Sequence, residues 1–243
     1  MQLDSQSLPH PRLLGQRAMA LALLDAIICP EVEYRYFTYD PAFAAGQHVA
    51  AMKNGEGDHW YLHLSAAGAI VKGHVQDLPR GEARAMALHA QAMVPEDFAA
   101  LLHEPAFMMD SVSFCYWRRS GDDGWSKLAH PDVRLRHRYD GSEDYLSILL
   151  APASCYYEYA ADYFECEPPL AAIEHLYAHA PLSASLVKSL NPQMSLDVAL
   201  EAAVRIGYPG LPRRAPFSDA GARAMAGAAI TGASAACSGA APA

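Results

Sequence analysis

His59-Trp-Tyr-Leu-His-Leu64, then Ser65-Ala-Ala-Gly68, then Ala69-Ile-Val-Lys-Gly-His-Val75: two runs rich in aromatic and β-branched residues flank a four-residue turn, the pattern of an antiparallel hairpin. If Ser65 pairs with Gly68, His59 stands opposite His74, Tyr61 opposite Lys72 and His63 opposite Ile70. The period of two along a strand then places all six side chains on one face.

Three imidazoles beside a tyrosine and a lysine raise one chemical option, a metal-dependent hydrolase in which His59, His63 and His74 hold the ion and Asp58 orients one ring. Against it, no HExxH accompanies the cluster, and His59 and His63 lie roughly 13 Å apart at strand rise. Lys72 would also repel a cation. The preferred reading of the face is a polar sheet surface, with no metal ligand and no cofactor assigned.

Outward from the hairpin, Glu33-Tyr-Arg-Tyr-Phe-Thr-Tyr39 reads as a strand closed by Asp40-Pro41, and Asn54-Gly-Glu-Gly57 as a turn. Upstream, Leu13, Leu14, Leu21, Leu24 and Ile28 recur at helical spacing until Pro30 stops the helix. Downstream, Arg80 to Met93 and Pro95 to Leu102 predict helices. Ser111 to Arg118 and Val133 to Tyr139 predict strands, separated by the turn Gly121-Asp-Asp-Gly124 and followed by Asp140-Gly141. The pattern then becomes helical: Tyr145 to Leu150, Ser154 to Glu165, Leu170 to Ala178, Leu182 to Leu190 and Ser195 to Ile206, punctuated by prolines. Strands first and helices second indicate an α+β fold, an antiparallel sheet from the N-terminal half packed against helices, with a helical C-terminal half. The expected organisation is a frayed N-terminus over 1–11, one α+β domain over 12–210, and a disordered Ala/Gly-rich tail over 211–243.

Composition narrows the function classes. A chain of 243 residues with 52% hydrophobic residues can bury a sizeable core without staples. Its formal charge of -9 repels nucleic acid and anionic membranes and favours basic partners. Cys29, Cys115, Cys155, Cys166 and Cys237 are scattered and odd in number, which fits neither a disulfide framework nor a zinc knuckle. The apolar run from Ala18 to Cys29 contains Asp25 and ends at Pro30, so it reads as a helix and not a signal peptide, and a cytoplasmic location is expected. GxSxG, GxxxxGK[ST] and GxGxxG are missing. Ser185-Leu-Val-Lys188 matches SxxK without that machinery's companion elements, and Arg134, Arg136 and Arg138 on one predicted strand face read as internal ion pairs.

The stretch Ser154-Cys-Tyr-Tyr-Glu-Tyr-Ala-Ala-Asp-Tyr-Phe-Glu165 is the candidate contact surface. On a helix, Glu158, Asp162 and Glu165 form one stripe, with Tyr156, Tyr159 and Tyr163 beside it. Aromatic rings next to acids suit protein binding. The plainer reading puts the rings in the core and the acids in solvent.

Several segments together, Glu33-Tyr-Arg-Tyr-Phe, Met52-Lys-Asn-Gly-Glu-Gly-Asp-His-Trp-Tyr, Gly68-Ala-Ile-Val-Lys-Gly73, Phe114-Cys-Tyr-Trp-Arg-Arg, Asp140-Gly-Ser-Glu-Asp and Leu190-Asn-Pro ahead of Ile206-Gly-Tyr-Pro209, resemble a group of uncharacterised bacterial cytosolic proteins. The resemblance spans roughly residues 20 to 210. It implies an immunity-protein-like role, in which a non-catalytic protein binds and inhibits a bacterial toxin, and it transfers no binding residue.

Overall fold

The computed structural model describes residues 2–210; the expected tail over 211–243 lies outside them. A six-stranded antiparallel sheet runs in simple chain order, β1 (Phe37–Ala44), β2 (Gln47–Lys53), β3 (His59–Ser65), β4 (Gly68–His74), β5 (Phe114–Arg119) and β6 (Ser126–Lys127). The helices are α1 (Pro11–Ile28), α2 (Arg80–Met93), α3 (Ala99–Leu102), α4 (Ser142–Leu150), α5 (Ala153–Tyr163), α6 (Leu170–Tyr177), α7 (Ala184–Leu190) and α8 (Leu196–Ile206). The fold is α+β, with the sheet in the N-terminal half and the helices concentrated in the C-terminal half. Among the described residues no helix is long and apolar enough to cross a membrane.

Helices cover the sheet on both faces. One face, carrying Phe37, Ala50, Trp60, Leu62, Val71 and Tyr116, packs with α1 and the helices from α4 onward. The other, carrying Ala51, Tyr61, Ile70 and Cys115, packs with α2, α3 and the segment after them through Met86, Phe98, Phe107 and Val112. The hairpin register is the expected one: His59 faces His74, Tyr61 faces Lys72, and Ser65 faces Gly68. Its polar face is nevertheless not a solvent surface, because His63 is 3% and Lys72 2% exposed beneath the second helical layer.

Other expectations needed correction. The first strand begins at Phe37 and runs through Asp40-Pro41, which was expected to close it; β1 is an edge strand whose register breaks between Asp40 and Ala44, and an edge tolerates a residue without an N–H. Its partner β2 was missed, since its alanines carry little strand propensity and the local signal reduces to the turn at Gly46. Val133 to Tyr139 is not a strand. Asp132 accepts from the Arg134 amide at 3.0 Å and pairs with its guanidinium at 2.7 Å, so a capped 3-10 turn forms at Val133–Leu135. The frayed N-terminus is also corrected: Leu3 and Leu8 are buried, the Leu3 amide donates to Ser142 Oγ, and Trp125 Nε1 donates to the Pro9 carbonyl.

Helix α1 is the hub. Every residue from 20 to 27 is buried, as befits a helix that is apolar all round. The Asn191 side chain donates to the Ile27 and Ile28 carbonyls at the helix's end. One member of the buried run is a carboxylate. Asp25 is wholly enclosed; its Oδ2 accepts from the Phe37 amide at 2.9 Å and its Oδ1 from the Tyr156 hydroxyl at 2.8 Å. Burial pushes its pKa up to about 7 against these hydrogen bonds. Between roughly pH 4 and 7 the folded chain therefore keeps a proton that the unfolded chain has released, and this group's contribution to stability falls as pH rises through that window.

Asp25→Asn can still offer an acceptor to the Phe37 amide and a donor to Tyr156 Oη, whereas Asp25→Ala strands both. The expected outcome in urea denaturation at pH 8 is an Asn variant no less stable than the wild type, and an Ala variant weaker by about 2–4 kcal/mol. Equal losses in the two would remove the hydrogen-bond account.

Candidate functional site

Two places gather chemistry-bearing side chains. The first is the histidine face of the hairpin. Lys72 Nζ, on β4, donates to His59 Nε2 and to the Met108 carbonyl, both at 2.9 Å. His59 Nδ1 lies 3.0 Å from the Gly57 carbonyl, so Nδ1 carries the proton and Nε2 offers its lone pair to the lysine. Ser111 Oγ meets His74 Nδ1 at 2.9 Å. Met108 itself adopts a left-handed backbone (φ 49), which turns its carbonyl onto the ammonium.

Burial dominates the electrostatics here. It pushes Lys72 down to about 7, with Asp110 opposing, and it pushes His59 down to about 4 with help from the Lys72 charge. His63, lowered to about 4 by burial and then by His48, stands apart from the pair and reaches Gln47 Oε1 through Nε2 at 3.0 Å. The three imidazoles proposed as metal ligands are thus not brought to one point, and no group of three His, Cys, Asp or Glu among the described residues is placed to hold an ion. Asp58 does not orient a ring. Burial alone would raise its carboxyl, but hydrogen bonds from Tyr145 Oη (2.6 Å), the Gln76 amide (2.7 Å) and Asn54 Nδ2 (2.7 Å) outweigh that and hold it below the usual range. The lysine–histidine pair clamps the segment around Met108 to the sheet.

The second place is a cleft of about 500 Å³ where α4 and α5 meet the start of β1 and the end of β2. Glu158, Tyr159 and Asp162 of α5 line it, with Asp144 and Tyr145 of α4 and Tyr36, Met52 and Asn54 across from them. Three carboxylates and three tyrosines thus face one space, and among the described residues no Lys or Arg lines it. Glu158 and Asp162 are exposed and have no hydrogen bond or ion pair among the described residues, while Asp144 Oδ2 accepts from Tyr139 Oη at 2.7 Å. Asp58 braces the cleft, since its bonds to Tyr145 and Asn54 join α4 to the β2–β3 turn.

The predicted surface residues divide between cleft and core. Tyr156 is in the core on Asp25, so it is not a surface group. Tyr163 is partly exposed, stacks on Tyr159 at 5.7 Å and donates to the Tyr34 carbonyl. Glu165 has left the stripe, because α5 ends at Tyr163 and Glu165 turns into the left-handed region at φ 51. Asp144, Tyr145, Tyr36 and Asn54 were not assigned to a site from sequence; they converge only through tertiary packing, and the acids opening α4 read locally as first-turn residues that suit the helix dipole.

Other candidates dissolve. Lys188 Nζ donates to the Pro192 carbonyl at 2.7 Å and Ser185 Oγ meets Ser183 Oγ, so SxxK forms no serine–lysine pair. Arg134 pairs with Asp132 and Arg138 with Glu82, while Arg136 Nε donates to the His130 carbonyl. Comparison with known protein families, characterised proteins and solved structures finds no match to this chain.

Because His59 and His63 titrate near 4 when folded against an ordinary 6.5, each contributes stability that is present above pH 6.5 and lost as pH falls through 4, on the order of 3 kcal/mol at most per ring. Asp25 acts with the opposite sign in an overlapping window. Asp25→Asn should therefore lose more stability than the wild type between pH 7 and 4.5 in urea titrations, and Asp25→Asn/His63→Gln should lose less than Asp25→Asn alone. Identical acid losses in all three proteins would contradict the assignment.

Proposed function

We propose that this chain is a non-catalytic protein-binding protein of the cytoplasm whose α4–α5 cleft receives a basic segment of a protein partner. The observation that carries this is the lining of that cleft: Asp144, Glu158 and Asp162 with aromatic walls and, among the described residues, no Lys or Arg. A lysine or arginine entering it gains charge-assisted hydrogen bonds from the carboxylates and cation–π contact with the tyrosines. The overall charge of -9 would steer a basic partner toward the chain and make association weaken as salt rises. The resemblance to immunity-type proteins supplies the partner class, a bacterial toxin held inactive by occlusion. A metal-dependent hydrolase on the histidine face draws no support from the geometry, since His63 lies apart from the buried His59–Lys72 clamp.

The test is capture of partners by the tagged protein from its host's lysate, followed by affinity measurements on what co-elutes stoichiometrically. Glu158→Lys/Asp162→Lys should weaken binding by at least about tenfold and flatten its salt dependence. Glu165→Lys, outside the cleft, should change affinity by no more than about twofold. If both variants act alike, general charge and not the cleft governs the contact. If neither changes affinity, the cleft is not the interface.

A further inference from the structure

A second cleft has the opposite electrostatic character. About 420 Å³ opens between the start of α1, the beginning of β2, the β3–β4 turn and the end of β5, with Arg12, Arg118 and Arg119 in its lining. Among the described residues no Asp or Glu lines it, in a chain with 27 acidic residues against 18 basic ones. Arg119 is discharged by Asp97 at 3.0 Å. Arg118 is not, as its Nε donates to a neutral carbonyl, that of Asp122, at 3.1 Å. The Arg12 guanidinium has no partner among the described residues. Two positive charges thus stand without an ion pair among the described residues at one cleft. By contrast, in the cavity beside β6 Lys127 is neutralised by Asp140 at 2.8 Å and Arg138 by Glu82 at 2.7 Å.

Two close approaches shape this site. Gly68 pairs with Arg119 at the end of β5 with φ +135, and a Cβ there would lie 2.1 Å from the Arg118 carbonyl, so only glycine lets the β4 start pass this close to the arginine pair. A Cβ on Gly15 would lie 2.7 Å from Leu64 Cδ1, so the missing side chain lets the first turns of α1 lie against the end of β3. Supplementary donors are present. Ser65 and Ser120 bring hydroxyls, and Tyr39 Oη, kept protonated by burial that lifts it to about 12, lies 3.3 Å from His48 Nδ1. The α1 amides are not donors, because the Arg12 amide already bonds His10 Nδ1 and the Leu13 and Leu14 amides bond the His10 carbonyl. The aligned dipoles of that 18-residue helix still add positive potential at its opening end.

We propose that this cleft binds phosphate, free or as a small monoester. A phosphate dianion matches two uncompensated guanidinium forks in both charge and acceptor number, which a single carboxylate does not. A polyanion is disfavoured, because the chain's net charge of -9 repels an extended strand, whereas a small anion responds to the field within a Debye length of roughly 8–10 Å.

The experiment is titration of the ¹⁵N-labelled full chain with inorganic phosphate and, separately, glycerol 3-phosphate at about 20 mM salt, repeated at about 150 mM. Saturable shifts at the Gly68 and Ser120 amides are expected, weakened by the added salt. Arg118→Gln and Arg12→Gln should each reduce affinity by about tenfold with an otherwise unchanged spectrum. Arg134→Gln, which removes an exposed arginine already paired with Asp132, should leave it as it is. Tighter binding of the ester would assign an organic phosphate that uses the apolar walls Met19 and Leu64, and equal binding would assign free phosphate. Absence of saturable shifts with both probes, or affinity undiminished when both Arg12 and Arg118 are replaced, overturns the site. Arg12 is exposed and makes no side-chain bond among the described residues, so its variant tests binding without disturbing the core.

Discussion

A carboxyl group with no access to water links the sheet to the helices of the C-terminal half. Asp25 ties the central helix α1 to the first residue of the sheet through the Phe37 amide and to α5 through the Tyr156 hydroxyl. A hydrocarbon in its place would pack but would leave a strand amide and a phenol without partners in the core. The bond also sets function-bearing geometry at one remove. Tyr156 anchors α5 from below, and the same helix lifts Glu158 and Asp162 into the acidic cleft while Tyr159 packs against Phe37 at 5.3 Å.

The sheet distributes the surface chemistry. Strand β2 begins at the cationic cleft with His48 and reaches the acidic cleft with Met52. A strand of this length rises about 3.4 Å per residue, so the two lie toward opposite ends of one rigid element. Separating the charges limits mutual cancellation. Had Arg12 or Arg118 stood beside Glu158, each would have been neutralised, and neither cleft would present an uncompensated charge to a ligand.

How far the sequence carries depends on the range of the interaction that decides each element. The hairpin register, α2 and the order of the C-terminal helices follow from turn residues, prolines and periodicity, all local. The Val133 segment misleads because Asp132 supplies a local hydrogen bond that outcompetes pairing, and β2 escapes because strand identity there comes from its neighbours. The histidine face is legible in its register but not in its burial, since nothing in the hairpin itself reveals that α2, α3 and the Met108 turn cover it. For the acidic cleft, Glu158, Tyr159 and Asp162 could be read from one helix. Their counterparts Asp144, Tyr145, Tyr36 and Asn54 are distant in the chain, and Asp25 registered only as an interruption in an apolar run.

The central position of α1 has a consequence during synthesis. It is made before α6, α7 and α8, the helices that bury it. At about 5–20 residues per second, the roughly 110 residues between the end of α1 and the start of α4 take on the order of 6–20 seconds to emerge, and through that interval the run from Ala20 to Ile27 has no helical partner from the C-terminal half. A nascent chain in this state presents an apolar helix bearing a single carboxylate, the kind of segment that holdase chaperones engage. Sheltering that helix until its partners emerge is thus a requirement separate from the stability of the finished fold.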